Sequence, residues 1–491
     1  MLLASLVEHL EYTTLQGDSN TNISSIAFDS REVVPNALFV AISGFTVDGH
    51  TFIERAIELG ATAILVERDI VIDAPVTVLK VADTRYAMAH ASARFYNNPT
   101  EKLNLIGITG TNGKTSTTYF IKSILEQSKR TVGVIGTIGA MVGNQSLKTK
   151  STTPTTPESL HLQHMFADMV DTGVHDCVME VSSHALSLQR TAASRFKSGI
   201  FTNLTPDHLE LHNTMEEYFE AKAMLFDLTT DYNIVNMDDE YGRRLATKIA
   251  SNPAKLVTYG IENDATIRAA DIRQFADYTS YVVHTPTGSV AIQTNLPGII
   301  YVYNSLAAIA CAYCNGINLD QISAGIRAVK SIKGRLEVVY QDEERKIIVD
   351  FAHTEDSLEK ALSTLRPFTK GRLILVFGVY AAPGKLGSGK RQAMGTIAGQ
   401  YSDIAIVTSD NPKDQDPDAI IAEVSAAVQA AGGMHRGIVD RREAIQYAID
   451  ISERDDVILI AGKGHETSQV IGKTEIPFNE AEIVNDIMSG K

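Results

Sequence analysis

The chain has 491 residues, of which 44% are apolar and 21% charged, a composition typical of a globular protein of about three domains. Its formal net charge of −15 repels phosphate backbones and argues against nucleic acid as a partner. Three cysteines are too few for a disulfide framework, and we find neither a membrane-spanning run nor a leader-like N-terminus, so we expect a cytoplasmic protein.

The first unit of the chain combines short strands with a helix. Apolar patterning predicts strands over 23–28, 37–42 and 61–66, and a helix over 51–59. The turn Asn97-Asn98-Pro99 then breaks the pattern. We therefore place the first domain at residues 1–99.

Strands and helices alternate in the second unit, residues 100–333. The predicted strands are 103–108, 131–135 and 176–180, and the predicted helices are 116–127 and 157–172. This alternation is typical of a parallel sheet with crossover helices. Cys311 and Cys314 have C-x-x-C spacing, but they lie in an alanine-rich run that we interpret as a packed helix.

A second alternating series fills the third unit, residues 334–491. Its predicted strands are 346–351, 372–377, 404–408 and 457–461, and its helices include 417–431, where Asp416 is the expected N-cap, and 440–451. No G-x-G-x-x-G follows the first strand, so a nicotinamide cofactor is disfavoured. The predicted fold class is α/β in three domains, with a P-loop parallel sheet in the centre and a Rossmann-like domain at the end.

A glycine-rich turn lies between the strand that ends near residue 108 and the helix predicted from Ser116. It consists of Gly110, Thr111, Asn112, Gly113, Lys114 and Thr115. In such a turn the backbone N–H groups face phosphate oxygens, Lys114 reaches the β- and γ-phosphates, and Thr115 binds Mg²⁺. A standard phosphate loop has glycine where Ile108 stands, so a plain glycine-rich turn is the alternative. We interpret the motif as an ATP site.

Further polar residues of the second unit have metal-binding chemistry. Glu180 ends a predicted strand, which suits a Mg²⁺ ligand, although the two serines that follow it could instead cap a helix. His208 and His212 are four residues apart and could share a helical face, as a metal-binding pair or as structural side chains. Lys222 lies in an apolar helical pattern, where a lysine usually extends to solvent.

Six motifs in this order resemble those of the Mur ligases, ATP-dependent enzymes that form amide bonds in peptidoglycan synthesis. They are Gly107-Ile-Thr-Gly-Thr-Asn-Gly-Lys-Thr115, Glu180-Val-Ser-Ser-His-Ala-Leu186, Asp207-His208 with Lys222, Val302-Tyr-Asn304, Gly334-Arg-Leu-Glu337 and Asp350-Phe-Ala-His353. Further motifs resemble the MurE type, which adds an amino acid to UDP-N-acetylmuramoyl-L-alanyl-D-glutamate. These are Asp29-Ser30-Arg31, Phe39-Val-Ala-Ile-Ser-Gly-Phe-Thr-Val-Asp-Gly-His50, Asp410-Asn-Pro412 and Gly462-Lys-Gly-His-Glu466.

The resemblance implies a reaction and a role for each domain. ATP phosphorylates the free carboxylate of the nucleotide dipeptide, and the amine of the incoming amino acid then displaces phosphate through a tetrahedral intermediate. The first domain binds the UDP-muramoyl substrate, the central domain binds ATP and Mg²⁺, and the third domain binds the amino acid. We expect a monomer.

The resemblance also assigns residues. The catalytic residues are Lys114, His208 and Lys222, the last as a carbamylated lysine (N6-carboxylysine). Mg²⁺ is assigned to Thr115, Glu180, His208 and the modified Lys222. ATP is assigned to Gly110, Thr111, Asn112, Gly113, Lys114, Thr115, Ser116, Asn304, Arg335, Asp350 and His353. The UDP-muramoyl-dipeptide is assigned to Ser30, Thr155, Thr156, Ser182 and Arg190. The amino acid is assigned to Arg391, Asp410, Asn411, Lys413, Gly462 and Glu466.

Two departures from the family pattern concern the incoming amino acid. Diaminopimelate ligases have arginine where Lys413 stands, and lysine keeps the charge but loses the bidentate fork. The family's Gly-Cys-Gly-Gly-Asp-Arg-Asp loop is replaced by the mostly small and apolar segment 378–389. We therefore predict a diamino acid substrate, with meso-diaminopimelate preferred to L-lysine. The alternatives are a degenerate paralogue with a binding or regulatory role and a folylpolyglutamate-type ligase, whose branch lacks an equivalent of the first 99 residues.

Overall fold

The computed structural model describes residues 1–45, 47–147, 155–207, 209–381 and 384–490. These residues form three main sheets with helices on their faces, which is the predicted α/β class. Within the described ranges, no helix combines the length and the apolar character that crossing a bilayer requires. The domain boundaries at 99/100 and 333/334 stay predictions.

The first sheet has five strands in the order β1-β5-β4-β3-β2, and only β1 is antiparallel to its neighbour. The strands are β1 (Thr13–Gln16), β2 (Ser25–Ala27), β3 (Ala37–Val40), β4 (Ala61–Val66) and β5 (Thr77–Lys80), and the helices are α1 (Leu3–Leu6), α2 (Ile53–Glu58) and α3 (Thr84–Phe95). The predicted helix 51–59 begins as a 3₁₀ turn, because the Asp48 side chain caps residues Gly49–Phe52 before α2 starts.

The central sheet has eleven strands in the order β16-β15-β14-β13-β12-β11-β6-β10-β7-β8-β9. Its strands are β6 (Asn104–Thr109), β7 (Val132–Gly136), β8 (Gly139–Val142), β9 (Gln145–Ser146), β10 (Asp176–Glu180), β11 (Phe196–Phe201), β12 (Thr229–Asn236), β13 (Lys255–Gly260), β14 (Ile267–Gln274), β15 (Thr279–Thr285) and β16 (Gly288–Thr294). Its helices are α4 (Lys114–Gln127), α5 (Ser159–Asp171), α6 (Ser183–Ser187), α7 (Leu209–His212), α8 (Met215–Ala223), α9 (Glu240–Lys248), α10 (Ile299–Cys314) and α11 (Leu319–Ala328).

The strands from β14 to β7 in this order are parallel, as the alternating pattern predicted. Antiparallel strands extend the sheet at both edges, where no elements were predicted. The phosphate-loop strand β6 lies between β10 and β11 and is buried almost throughout. Its carboxyl end therefore opens at the middle of the parallel region, where such sheets bind ligands. The cysteine-containing run forms α10, as expected.

The third sheet has six strands in the order β17-β18-β22-β19-β20-β21, and all pairs except β17–β18 are parallel. Its strands are β17 (Glu337–Gln341), β18 (Arg345–Asp350), β19 (Leu373–Phe377), β20 (Ile404–Val407), β21 (Met434–Gly437) and β22 (Asp456–Ala461), beside the hairpin β23 (Ser468–Ile471) and β24 (Thr474–Pro477). The helices are α12 (Glu355–Leu365), α13 (Gly384–Tyr401), α14 (Pro417–Ala430), α15 (Arg441–Ile451) and α16 (Glu480–Met488). Asp416 caps α14 through the N–H of Asp418, as predicted, and part of the altered segment 378–389 belongs to α13.

Candidate active site

The glycine-rich turn leaves β6 and enters α4, which starts at Lys114, two residues earlier than predicted. Gly110 and Gly113 have φ angles of 142° and 90°, a region that side-chain-bearing residues rarely adopt. A Cβ atom on Gly113 would lie 2.3 Å from Oδ1 of Asn304. The two glycines therefore permit both the turn and the close approach of α10.

The Lys114 ammonium lies inside this turn. Its Nζ donates hydrogen bonds to the carbonyl oxygens of Gly110 and Thr111, each at 2.9 Å. Burial lowers the pKa of Lys114 and nearby Arg335 lowers it further, while the Glu180 carboxylate opposes the shift. A cation held among backbone groups at a helix start is suited to contact phosphate oxygens.

A cavity of about 520 Å³ opens beside the turn and is lined from two of the three sheets. It collects nearly every residue that the sequence assigned to ATP, together with several residues assigned to the other substrates. The predicted residues at its wall are Thr111, Asn112, Gly113, Lys114, Thr115, Ser116, Thr155, Glu180, Ser182, Asn304, Arg335, Asp350, His353 and Glu466.

Glu180 is buried at the end of β10 and accepts hydrogen bonds from two hydroxyl groups. Its Oε2 accepts hydrogen bonds from the Thr115 hydroxyl at 3.1 Å and the Thr137 hydroxyl at 2.9 Å. Arg335 donates to the same Thr115 oxygen at 3.1 Å, from 220 residues further along the chain. Carboxylate and hydroxyl oxygens next to a phosphate loop are the protein donors that Mg²⁺ prefers, so this pair fits a magnesium ion.

Asp350 and Phe351 form the wall that the third sheet contributes. Asp350 ends β18 and accepts hydrogen bonds from the backbone N–H groups of Leu336 and Ala352, at 2.6 and 2.8 Å. Burial raises the pKa of its carboxyl group. The Phe351 ring contacts the guanidinium of Arg335 at 4.7 Å and so fixes the position of that cation in the cavity.

His353 and His465 flank the same Phe351 ring, with centroid distances of 4.4 and 4.7 Å. Burial lowers the pKa of His465 to about 3, and the Arg335 and Lys333 cations contribute to the shift. His353 was predicted from its motif, whereas His465 was only part of the Gly462–Glu466 motif and had no assigned role.

The low pKa of His465 makes folding stability pH-dependent. The unfolded chain takes up this proton near the ordinary value of 6.5, and the folded chain only near 3, so the unfolded state binds more protons between these values. Stability therefore falls as the pH falls through this window. We expect the free energy of unfolding, measured with urea, to fall when the pH is lowered from above 6.5 to a value between about 3 and 6.5. This fall should be smaller for His465→Gln than for the unaltered chain. His435→Gln, at an exposed strand residue, is the control and should keep the original pH dependence.

Lys222 lies on α8 and is only 2% exposed, so it does not follow the usual tendency of a lysine in an apolar pattern to extend to solvent. Its Nζ donates to the carbonyl oxygen of Gly110 at 2.9 Å and lies 4.3 Å from the centroid of the Tyr218 ring. The apolar face of α8 carries the lysine inward, where the phosphate turn supplies a hydrogen-bond acceptor. Lys222 and Lys114 thus share the Gly110 carbonyl oxygen.

Of the two histidines predicted as a possible metal-binding pair, His208 and His212, the structure describes only the second. His208 lies outside the described residues. His212 ends α7, where its Nε2 is 2.9 Å from the Ser183 hydroxyl and its ring stacks on Tyr218. Among the described residues, no three His, Cys, Asp or Glu side chains are grouped to hold a metal ion.

The residues assigned to the dipeptide surround the end of β10. The Thr156 hydroxyl donates to the backbone oxygen of Glu180 at 3.0 Å, and Ser182 caps α6 through the N–H of Ala185. Arg190 donates to the Thr156 carbonyl oxygen at 3.0 Å. These contacts place the three predicted residues Thr156, Ser182 and Arg190 side by side.

Two residues from outside the strands of the first sheet, Arg85 and Phe45, contact residues near those assigned to the dipeptide. Arg190 pairs with Glu158 at 2.7 Å, and Arg85 on α3 approaches the same carboxylate at 3.5 Å. The Phe45 ring stacks over His184, with the centroids 6.3 Å apart. Ser30 begins the 3₁₀ turn after β2, so its assignment to the nucleotide stays a prediction.

The loops after β20 and β22 carry five of the six residues assigned to the amino acid, namely Asp410, Asn411, Lys413, Gly462 and Glu466. A Cβ atom on Gly462 would lie 2.9 Å from Asp410 Oδ2, and Asn411 accepts a hydrogen bond from the N–H of Val470 at 2.9 Å. Lys413 is exposed and has a positive φ of 53°. Arg391 is buried on α13, where its Nε donates to Glu423.

Two contacts between the central and third sheets were not predicted. Nδ2 of Asn112 in the phosphate turn donates to Asp356 of α12 at 2.7 Å, and Lys360 donates to the same carboxylate. Lys390 of α13 lies 3.9 Å from Asp207. Both contacts join residues more than 180 positions apart, so no local pattern could reveal them.

The comparisons with known proteins agree with this geometry. Three family descriptions match successive parts of the chain: Mur ligase family, catalytic domain at 22–96; Mur ligase middle domain at 108–312; and Mur ligase, glutamate ligase domain at 334–464.

Two similar relatives both carry the name UDP-N-acetylmuramoyl-L-alanyl-D-glutamate--2,6-diaminopimelate ligase. The protein of Alkaliphilus metalliredigens is 43% identical over 99% of this chain and 97% of its own, and that of Clostridioides difficile is 43% identical over 100% of both. A solved structure of the same name is 26% identical, with a TM-score of 0.69, and covers 100% of this chain and 99% of its own. The chain belongs to the Mur ligase family.

Proposed function

We propose that the protein is an ATP-dependent ligase that joins 2,6-diaminopimelate to UDP-N-acetylmuramoyl-L-alanyl-D-glutamate in peptidoglycan synthesis. The observation that carries the proposal is the shared cavity. Its wall contains the phosphate turn, together with Thr155 and Ser182, which are assigned to the dipeptide, and Glu466, which is assigned to the amino acid. At least one residue assigned to each of the three substrates therefore lines the same cavity.

The reaction has two steps. A carboxylate oxygen of the dipeptide attacks the γ-phosphorus of ATP, and ADP leaves. The amine of diaminopimelate then attacks the acyl carbon, gives up a proton, and displaces inorganic phosphate as the amide forms. Lys114 and Arg335 are placed to stabilise the negative charge that develops on the phosphoryl oxygens.

Magnesium belongs to this proposal as the usual counterion of ATP. The Thr115 hydroxyl and the Glu180 carboxylate would hold it, and it would neutralise phosphate charge when bound. His208 and a carbamylated Lys222 are proposed as further ligands, as the family resemblance implies. Cytoplasmic location and a monomeric state remain predictions.

Phosphate release tests the proposed function. The purified protein is incubated with ATP, Mg²⁺ and the UDP-muramoyl dipeptide, and a panel of amino acids is added in turn. We expect release with 2,6-diaminopimelate and formation of a tripeptide product detectable by mass. ATP binding with no release for any amino acid would favour the degenerate paralogue, and release with folate but not with the UDP-substrate would favour the folylpolyglutamate-type ligase.

Lys413 is expected to select the second carboxylate of diaminopimelate. Its ammonium lies on the loop that also carries Asp410 and Asn411, and an exposed lysine there can pair with a distal carboxylate. Lys413→Ala should lower kcat/KM for diaminopimelate relative to L-lysine by about tenfold, and Lys413→Arg should retain or increase the preference. Lys473→Ala, on the exposed turn between β23 and β24, removes the same charge as a control. An unchanged preference in Lys413→Ala would refute this role.

A further inference from the structure

Lys463 is a completely buried cation beneath the loops that follow β20 and β22. Neither the motifs nor the family resemblance gave it a role. It lies two residues after β22 and is 0% exposed. Its Nζ donates to Oδ1 of Asn411 at 3.2 Å and to Oε2 of Glu466 at 2.6 Å. Both partners are residues that the family resemblance assigns to the incoming amino acid.

The contact with Asn411 occupies the oxygen end of its side-chain amide. Oδ1 of Asn411 accepts two hydrogen bonds, one from Lys463 and one from the backbone N–H of Val470 at 2.9 Å. Two donors on the oxygen hold the amide in one orientation, with Nδ2 directed away from them. Because an amide nitrogen can only donate, this orientation suits the recognition of a carboxylate.

The contact with Glu466 leaves part of that carboxylate available. Lys463 binds Oε2, while the Glu466 side chain is 33% exposed and contributes to the wall of the substrate cavity. A carboxylate has acceptor capacity on both oxygens, so Glu466 can accept a further hydrogen bond from an ammonium group. Lys463 thus contacts one residue with a potential donor and one with an acceptor, in the loops that follow β20 and β22.

The backbone under both loops is already fixed by a separate ion pair, Arg441–Glu480, whose side chains are fully buried. Arg441 donates to the carbonyl oxygens of Ser409 and Ala461, and Glu480 accepts from the N–H of Gly464. The loops therefore do not need the Lys463 charge to hold their backbone. Burying an ammonium is costly, and an apolar side chain could fill the same volume.

We propose that Lys463 is a positioning residue for the incoming amino acid, holding Asn411 as a donor to its carboxylate and Glu466 as an acceptor from its ammonium group. This inference rests on the proposed function and adds to it a residue that helps to select the incoming amino acid. An amino acid carries both of these charged groups, so the two oriented partners match its chemistry.

Lys463→Met, which keeps the length and removes the charge, tests the inference. We expect the KM for diaminopimelate to rise by about tenfold to a hundredfold, while the KM values for ATP and the UDP-dipeptide change by less than about twofold. A merely structural role would disturb all three constants together. Lys473→Met, at an exposed position of the same domain, is the matched control and should change none of them.

A double-mutant cycle shows whether Lys463 acts through Glu466. The pair Lys463→Met and Glu466→Gln should be non-additive, so that the double variant has nearly the KM of Glu466→Gln alone. Asn411→Asp leaves Lys463 in place and removes the amide donors, and it should raise the same KM if Lys463→Met does not fold.

The outcomes separate the inference from the proposed function. Turnover by the unaltered protein, with an unchanged KM for diaminopimelate in Lys463→Met or in Asn411→Asp, overturns the inference alone. An additive cycle overturns it as well. Absence of turnover in the unaltered protein with every amino acid overturns the proposed function and the inference together.

Discussion

Lys114→Met is expected to lower the rate of phosphate release by about 10³-fold or more, the largest effect that we predict for a single side chain. The ammonium lies within hydrogen-bond distance of the carbonyl oxygens of Gly110 and Thr111, at the start of α4. Methionine fills the same space without charge, so the turn can keep its shape while the stabilisation of phosphoryl oxygens is lost. A coupled assay of phosphate and tripeptide measures both steps.

The control for this prediction is Lys102→Met, which removes a charge from an exposed position before β6. Thermal unfolding of both variants checks that neither has lost its fold. A Lys114→Met protein that still joins the substrates within about tenfold of the original rate would contradict the role of the phosphate turn. Lys114→Arg adds a second comparison, since its larger planar group cannot reproduce the point contacts of an ammonium.

The strand–turn–helix around Lys114 could be predicted because each of its parts has a local signal. An apolar run marks β6, glycines permit the positive φ angles, and a patterned helix follows. Strands such as β4 and β10 were predicted with their observed bounds for the same reason. The strands β14–β16, which pair with one another in antiparallel fashion, carry alternating polar residues on an edge of the sheet, and no strand was predicted there.

No local pattern in the sequence indicates which site residues, far apart along the chain, lie close together in space. Arg335 reaches Thr115 across 220 residues, and Asp356 reaches Asn112 across 244. Arg335 was identified only because its motif resembles a known family, whereas Asp356 belongs to no motif that we recognised. Physical patterns in the sequence specify which elements form, but the packing of one sheet against another decides which side chains meet.

Lys222 shows how tertiary packing can override a general tendency. A lysine in an apolar helical pattern usually extends to solvent, yet this one is buried against Tyr218 and the Gly110 carbonyl oxygen. Burial holds its pKa well below the usual range, the Lys114 cation lowers it further, and Asp207 opposes the shift. The amine is therefore neutral far more often than that of an exposed lysine, and a neutral amine is a nucleophile.

A neutral amine at this position can react with carbon dioxide. The nitrogen lone pair attacks the carbon, a proton leaves to solvent, and a carbamate with one negative charge results. That anion would lie beside the Lys114 cation and would replace the repulsion between two lysines by attraction. Lowering the pH reverses the reaction, because protonating the amine removes the nucleophile.

We expect Lys222→Met to lower the ligation rate by about a hundredfold to a thousandfold, since it removes the proposed carbamate next to the phosphate turn. The unaltered protein should lose activity in buffers freed of carbon dioxide and regain it on adding bicarbonate, and the loss should be greater at lower pH. Lys222→Met should not respond to bicarbonate. Native mass spectrometry should find the mass of one carbon dioxide on the unaltered chain and none on the variant.

Lys330→Met, at an exposed position after α11, is the matched control and should keep both the rate and the response to bicarbonate. Full activity of the unaltered protein in carbon-dioxide-free buffer would exclude a required carbamate, because the free amine would then suffice. Loss of activity in Lys222→Met together with that result would instead assign the effect to the hydrogen bond between Lys222 and Gly110. The two measurements thus distinguish a chemical role of the modified side chain from its support of the phosphate turn.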